Sequence, residues 1–120
     1  MESTQPYGEA PNITASVLEG SVRIGGKLSI VVTYRARKEG EGVRYFYWLS
    51  LTGAKERGVE TDGLSHQFKV ELPVTRELAS LLMVEGKLRL VGFASITAIR
   101  PDDFHVQQVK RLTFVVPLEV

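Results

Sequence analysis

Two short groups of side chains contain the residue types used in catalysis. Asp62, Ser65 and His66 supply the carboxylate, hydroxyl and imidazole of a serine hydrolase triad. Such an enzyme also needs a strained nucleophile turn and an oxyanion hole, and no Gly-x-Ser-x-Gly pattern occurs in the chain. His66 also alternates in register with Phe68 and Val70, so we expect a partly buried strand residue and not a catalytic base.

The second group, Asp102, Asp103 and His105, offers metal-binding side chains within four residues. A hard cation needs several oxygen ligands from more than one direction, and no calcium-loop pattern is present. Aspartates after Pro101 are typical of a turn, where they bond to their own backbone. The chain has no cysteine, which excludes thiolate nucleophiles and thiolate ligands. We therefore expect no catalytic residue, no metal site and no cofactor, and the protein is not expected to be an enzyme.

Length and composition indicate one ordinary globular domain. The chain has 120 residues, of which 43% are hydrophobic, and a formal net charge of +1. That balance disfavours a nucleic-acid partner, which normally requires a basic excess. No apolar run approaches the roughly 18–20 residues needed to cross a bilayer, so membrane insertion is not expected. Residues 1–11 are predicted to be a disordered lead-in without signal-peptide features, and residues 12–120 to form the domain.

Alternation of apolar and polar residues indicates strands along most of the chain. Leucines spaced as in a helix follow Pro73, which predicts a short helical crossover within 74–82. The predicted strands cover residues 12–18, 22–24, 27–35, 43–52, 65–72, 87–99 and 105–118, with a further short one within 54–63. This pattern predicts an all-β fold, an immunoglobulin-like antiparallel β-sandwich of seven to eight strands with one short helical crossover.

The 43–52 strand is apolar on both faces. If it lies beside the 87–99 strand, its Phe46 and Trp48 come close to Val91 and Phe93, on the side away from the core. An apolar patch outside a single-domain core is typical of a protein interface. We therefore predict an interface at Phe46, Trp48, Val91 and Phe93. The alternative is that the 74–82 helix or a loop covers these residues and makes them a minor core.

The order of these features resembles the first of the two C-terminal β-barrel (immunoglobulin-like) domains of the animal transglutaminases. Residues 21–32 resemble that domain's opening strand pair, and residues 112–120 resemble its exit strand. Residues 74–91, with the turn and alternating strand of 85–90, resemble its helical crossover, and Ala94 matches a small residue in the following strand. The family often has tyrosines at the crossover where this chain has Arg76, Leu78 and Ala79, so no nucleotide-contacting role is transferred.

The resemblance implies a non-catalytic accessory barrel that docks on a partner domain. The catalytic cysteine, histidine and aspartate of that family lie in a separate core domain, which this chain lacks. The leading hypothesis is therefore a protein-interaction module that binds another protein or domain through the aromatic face or an exposed edge strand. The alternative hypothesis is a structural or adhesive sandwich module from a tandem-domain surface or filament protein.

Overall fold

The structure is a computed structural model that describes residues 10–119. Within that range the chain forms nine strands and one helix. In chain order they are β1 Asn12–Val17, β2 Val22–Arg23, β3 Lys27–Arg35, β4 Arg44–Leu51, β5 Arg57–Thr61, β6 Ser65–Pro73, α1 Arg76–Leu82, β7 Met83–Val84, β8 Lys87–Ile99 and β9 Phe104–Glu119. Two strands, β2 and β7, contain only two residues each. The predicted strand boundaries hold to within a residue or two, whereas most of the predicted lead-in, residues 1–9, lies outside the described residues.

The strands form two sheets that pack face to face, which confirms the predicted all-β sandwich. The first sheet has three strands in the order β1-β3-β6. The second has six strands: five follow the order β2-β9-β8-β4-β5, and β7 also pairs with β8. All neighbours are antiparallel except β2 and β9, which are parallel over two residue pairs.

Strand alternation places one face of each sheet in a shared core. In β3 the residues Leu28, Ile30, Val32 and Tyr34 are fully buried, while Lys27, Thr33 and Arg35 are exposed. The second sheet contributes the inward-facing residues of β4, β8 and β9, among them Tyr45, Tyr47, Leu49, Leu88, Leu90, Ile96, Leu112, Phe114 and Val116. Because side chains alternate between faces, the remaining positions of β4, β8 and β9 form an outer face that points away from this core.

The crossover from the first sheet to the second is the helix α1. Thr75 caps its N-terminus, since its hydroxyl accepts a 3.0 Å hydrogen bond from the backbone N–H of Leu78. Ala79 is buried in the main core, and Leu82 packs partly against it. The predicted helical segment 74–82 is therefore confirmed, with its first turn starting after the Thr75 cap.

A β-bulge interrupts the pairing of β8 with β9. Ile96 is opposite Gln108, but the next residue, Thr97, is opposite Val106, so Gln107 is the extra residue. One inserted residue reverses the face on which every preceding side chain lies. Because of the bulge, residues 104–106 of β9 lie on the face opposite to the one that strict alternation predicts for them.

Candidate functional site

The outer face of the six-stranded sheet contains the four residues predicted as an interface. Trp48 of β4 is opposite Ser95 of β8, and Ser50 is opposite Phe93, so the two aromatic residues are diagonal neighbours. Val91 lies two residues before Phe93 on the same strand and face, and Phe46 lies two residues before Trp48. Phe93 is 44% exposed, while the other three are half-buried.

Local contacts hold the two aromatic residues of β4 in place. The ring of Phe46 lies over Gly58 of β5, where an added Cβ would come within 2.5 Å of the ring. The indole N–H of Trp48 donates a hydrogen bond to the Glu56 carboxylate. The backbone carbonyl of Trp48 accepts a 2.7 Å hydrogen bond from the buried Tyr34 hydroxyl. The aromatic surface is therefore held by the sheet and by its neighbouring strand before any partner binds.

Strand β9 extends the apolar surface with residues that the sequence analysis did not select. Val106, Val109 and Val115 are all exposed on the outer face, and Phe104 is 71% exposed at the start of the strand. Val109 and Val115 alternate with the inward Leu112 and could have been found by extending that pattern. Phe104 and Val106 could not, because strict alternation places them with the core and only the bulge reverses them.

A shallow cavity of about 370 Å³ lies at the end of this face where β8 turns into β9. Its apolar wall includes Phe46, Ile99 and Phe104, and its polar rim includes Asp102 and Asp103. The volume lies within the range of small-molecule sites, but the cavity is open on the outer side. It therefore continues the apolar face and is not an enclosed pocket.

The helix α1 does not cover this face. Its buried residue, Ala79, belongs to the core between the sheets, and Leu78 contacts the backbone near Gly53. Leu81 is 81% exposed and Phe93 remains 44% exposed. The exposure of Phe93 favours the open face, and the alternative of a minor core stays a prediction for the three half-buried residues.

The charges around the face are distributed unevenly. Lys87, Arg89 and Arg111 are exposed on the half of the face away from the β8–β9 turn. Among the described residues, none of these three cations has a hydrogen-bond or ion-pair partner. On the other half, Arg44 pairs with Glu60 at 2.9 Å, so that pair is close to neutral.

In the hydrolase-like group, His66 packs against aromatic rings. The His66 ring stacks on Tyr47 with centroids 5.6 Å apart and makes an edge contact with Phe68 at 4.6 Å. In the part of the chain that the structure describes, no hydrogen bond joins His66 to Ser65 or Asp62. His66 is thus a half-buried aromatic contact at the margin of the core, as its alternation predicted.

Asp103 and His105 of the aspartate–histidine group each contact other side chains. Asp103 pairs with Arg100 at 3.2 Å, and His105 Nε2 lies 3.0 Å from Glu39 Oε2. Residues 10–119 contain no group of three or more histidine, cysteine, aspartate or glutamate side chains placed to hold a metal ion.

Glu39 is the centre of a polar cluster that fixes the β8–β9 turn. Its carboxylate is only 7% exposed and accepts hydrogen bonds from Arg100 at 2.6 Å and from Gln107 at 2.9 Å. Gln107, the bulge residue, also bonds to the backbone of Arg37 in both directions. The bulge thereby directs a glutamine into this cluster while the neighbouring Val106 faces outward, which makes the cluster a structural support of the apolar face.

Two buried tyrosines have perturbed acidities that reflect packing. Burial raises the pKa of Tyr34 well above its ordinary value, and burial together with the nearby Tyr45 raises the pKa of Tyr47 to about 12. The hydroxyl of Tyr47 donates a 2.7 Å hydrogen bond to the carbonyl of Gly63. These shifts belong to hydroxyls that tie the core to the backbone, and neither lies at a cleft where a substrate would bind.

No protein-family profile and no curated protein matches this chain. Within residues 10–119, no helix is both long enough and apolar enough to cross a bilayer. The functional assignment therefore rests on the geometry of the outer face.

Proposed function

We propose that this chain is a non-catalytic protein-interaction module that docks on another protein or domain through the outer face of its six-stranded sheet. The observation that carries the proposal is the apolar character of that face. Phe46, Trp48, Val91 and Phe93 are continued there by the exposed valines of β9. Exposed apolar patches of this kind, with aromatic residues near their centre, are typical of binding surfaces.

The strand order supports the finer description of the fold as immunoglobulin-like. One sheet joins the first, second and fifth long strands, and the other joins the third and fourth long strands to the last two. Variable-type immunoglobulin sandwiches also divide their strands between two sheets by Greek-key connections. The short parallel pairing of β2 with β9 and the capped helix after β6 are compatible with that description.

The two edges of the three-stranded sheet, β1 and β6, are less suited to binding than the face. On β1, the carbonyl of Ile13 accepts a 2.7 Å hydrogen bond from the Lys110 ammonium group. On β6, the carbonyl of Lys69 accepts a 3.0 Å bond from the Arg57 guanidinium, and Lys69 and Glu71 place charges along the same strand. Charged side chains and occupied backbone acceptors disfavour the addition of another strand. These contacts favour the face over strand addition at β1 or β6.

The likeness to the transglutaminase barrels and the alternative of a tandem structural module both stay predictions. An accessory barrel that packs on a neighbouring domain needs an apolar face on a rigid sheet, and this face has both properties. A purely structural module would need neither half-exposed aromatic residues nor the contacts that hold them.

The test is a comparison of two variants in partner capture and reconstitution. Immobilised wild-type protein, a Phe93→Ser/Val109→Ser variant and a Lys69→Ser/Glu71→Ser edge variant are exposed to the same extract. A protein retained by the wild type is then purified and mixed with each form. The proposal predicts a stoichiometric complex with the wild type and the edge variant, and none with the face variant. Loss of the complex in the edge variant, with retention in the face variant, would contradict it.

A further inference from the structure

We propose that the segment bound by this face is an acidic amphipathic helix of the partner protein. The inference rests on the proposed function and adds the chemistry of the partner. It follows from three observations: the shape of the apolar surface, its limited area, and the cations on the half of it away from the β8–β9 turn that have no partner within residues 10–119.

The apolar surface is a strip about three strands wide. It runs across β4, β8 and β9, whose outer two axes are separated by about 10 Å because neighbouring strands lie about 4.8 Å apart. That width matches the diameter of an α-helix, about 10–12 Å. From Arg89 to Thr97 the strip covers eight residue steps of β8, about 26 Å at a strand rise near 3.3 Å, and β4 borders β8 from Gly92 onward. A helix of about 18 residues has the same length.

The exposed cations of the strip indicate that the segment bound there is negatively charged. Lys87 and Arg89 lie on β8 at one end of the strip, and Arg111 lies within it on β9; none of the three has a partner in the described part of the chain. The carboxylates near the strip are mostly engaged: Glu60 pairs with Arg44, Glu56 accepts from Trp48, and Asp103 pairs with Arg100. Cations that have no partner within the chain are available to carboxylates across an interface, where complementary charge steers association and fixes orientation.

The spacing of the cations is compatible with carboxylates carried by one helix. Arg111 is opposite Phe93, four residues along β8 from Arg89. Their Cα atoms are consequently about 13–14 Å apart, from four residue rises along the strand and one strand spacing across it. Carboxylates about two turns apart on one helix are separated by about 11 Å along its axis, and their side chains reach a similar span. The acidic residues should therefore be concentrated in the half of the helix that covers Arg89 and Arg111.

A second copy of this chain fits less well. The strip measures about 10 Å by 26 Å, roughly 260 Å² in projection, whereas a standard stable interface buries about 800 Å² per partner. The carboxylates of an acidic helix meet the cations directly. A nucleic acid is also disfavoured, because the carboxylates of Glu56, Glu60, Asp102 and Asp103 surround the aromatic half of the strip.

The test uses two synthetic peptides of about 18 residues. Both carry leucines in a helical i, i+3, i+4, i+7 stripe, and they differ only in having glutamate or lysine at the flanking positions of one half. Trp48 is the only tryptophan of the chain and lies on the strip, so its emission reports binding directly. Circular dichroism of the peptide reports helix formation upon binding.

The inference predicts that the glutamate peptide binds as a helix and the lysine peptide binds at least about tenfold more weakly. Raising the salt concentration from about 50 to 500 mM should weaken the glutamate complex about fivefold or more. In the variant Arg89→Glu/Arg111→Glu the preference should reverse. The matched control Lys38→Glu/Lys69→Glu makes the same change in net charge away from the strip, and the wild-type preference should persist.

Several outcomes would overturn the inference. These are equal binding of both peptides, no binding of either, reversal of the preference in the control variant, or a concentration-dependent homodimer that occupies the strip. If Arg89→Glu/Arg111→Glu does not fold, the salt titration of the wild-type complex is the remaining test: an affinity for the glutamate peptide that does not fall with salt would overturn the inference. If Phe93→Ser/Val109→Ser abolishes the complex with a captured partner while Arg89→Glu/Arg111→Glu leaves its affinity unchanged, the docking face stands and the acidic helix is wrong.

Discussion

Two nearby residues of β8 provide the sharpest stability test, because they face opposite sides of the sheet. Leu90 is fully buried between the sheets, whereas Phe93 is 44% exposed on the outer face. Leu90→Ala should lower the free energy of unfolding by about 2–5 kcal/mol, as other buried leucine truncations do. Full burial of a phenylalanine contributes about 1.5–3 kcal/mol, so a side chain that is little more than half buried should contribute about 1–2 kcal/mol.

Urea unfolding followed by Trp48 emission and by far-ultraviolet circular dichroism measures both values. Phe93→Ala should lose clearly less stability than Leu90→Ala, with an unchanged dependence of unfolding free energy on urea. The larger aromatic side chain would then be the less important one for folding, which is expected of a residue held for binding. A loss for Phe93→Ala equal to or above that of Leu90→Ala would refute the assignment of Phe93 to an open binding face.

Three further predictions concern close packing and ionisation. Gly92→Ala should destabilise by at least about 3 kcal/mol in urea unfolding, because the new Cβ would lie 2.2 Å from the backbone oxygen of Ser50, which cannot move independently of β4. Gly58→Ala should displace the Phe46 ring, and so shift Trp48 emission and weaken partner binding, with a smaller loss of stability than Gly92→Ala. Stability should be complete below pH of about 10 and decline toward pH 12, since the pKa of Tyr47 is raised in the folded state and the unfolded chain releases this proton first.

Each of these predictions has a control that isolates its cause. Gly20 has no atom within 4 Å of an added Cβ, so Gly20→Ala should be nearly neutral, and an equally harmless Gly92→Ala would contradict the packing argument. A Gly58→Ala protein with unchanged emission and affinity would show that Gly58 does not position the aromatic face. For the alkaline decline, Tyr47→Phe should make the profile less steep between about pH 10 and 12 and leave the part that the raised pKa of Tyr34 contributes, whereas an unaltered slope would count against Tyr47 as a source.

The sequence was sufficient to predict the strands and the orientation of most side chains. The 27–35 strand has the predicted limits, and the two faces of the 43–52 segment lie as its alternation indicates. These features depend on a two-residue period and on local turns, which are visible within a few residues. The position of Phe46 and Trp48 on the side away from the core required only one further assumption, that the 43–52 and 87–99 strands are neighbours, which the structure confirms.

The remaining features depend on contacts between distant parts of the chain. The bulge at Gln107 is stabilised by bonds to Arg37 and Glu39, some 70 residues earlier, so no local pattern indicates it. Its consequence, the outward position of Phe104 and Val106, was therefore missed. The unpartnered state of Arg89 and Arg111 was likewise hidden, because it depends on which carboxylates the fold brings within reach.

The most direct test of the docking face is a map of backbone amide shifts in the isotopically labelled protein upon addition of the captured partner. The account predicts that the largest shifts fall on the outward-facing residues of β4, β8 and β9, centred on Trp48, Phe93 and Val109. It also predicts that β1, β3 and β6 are little changed. Shifts concentrated along the free edge of β6, or on the exposed face of the three-stranded sheet, would contradict it.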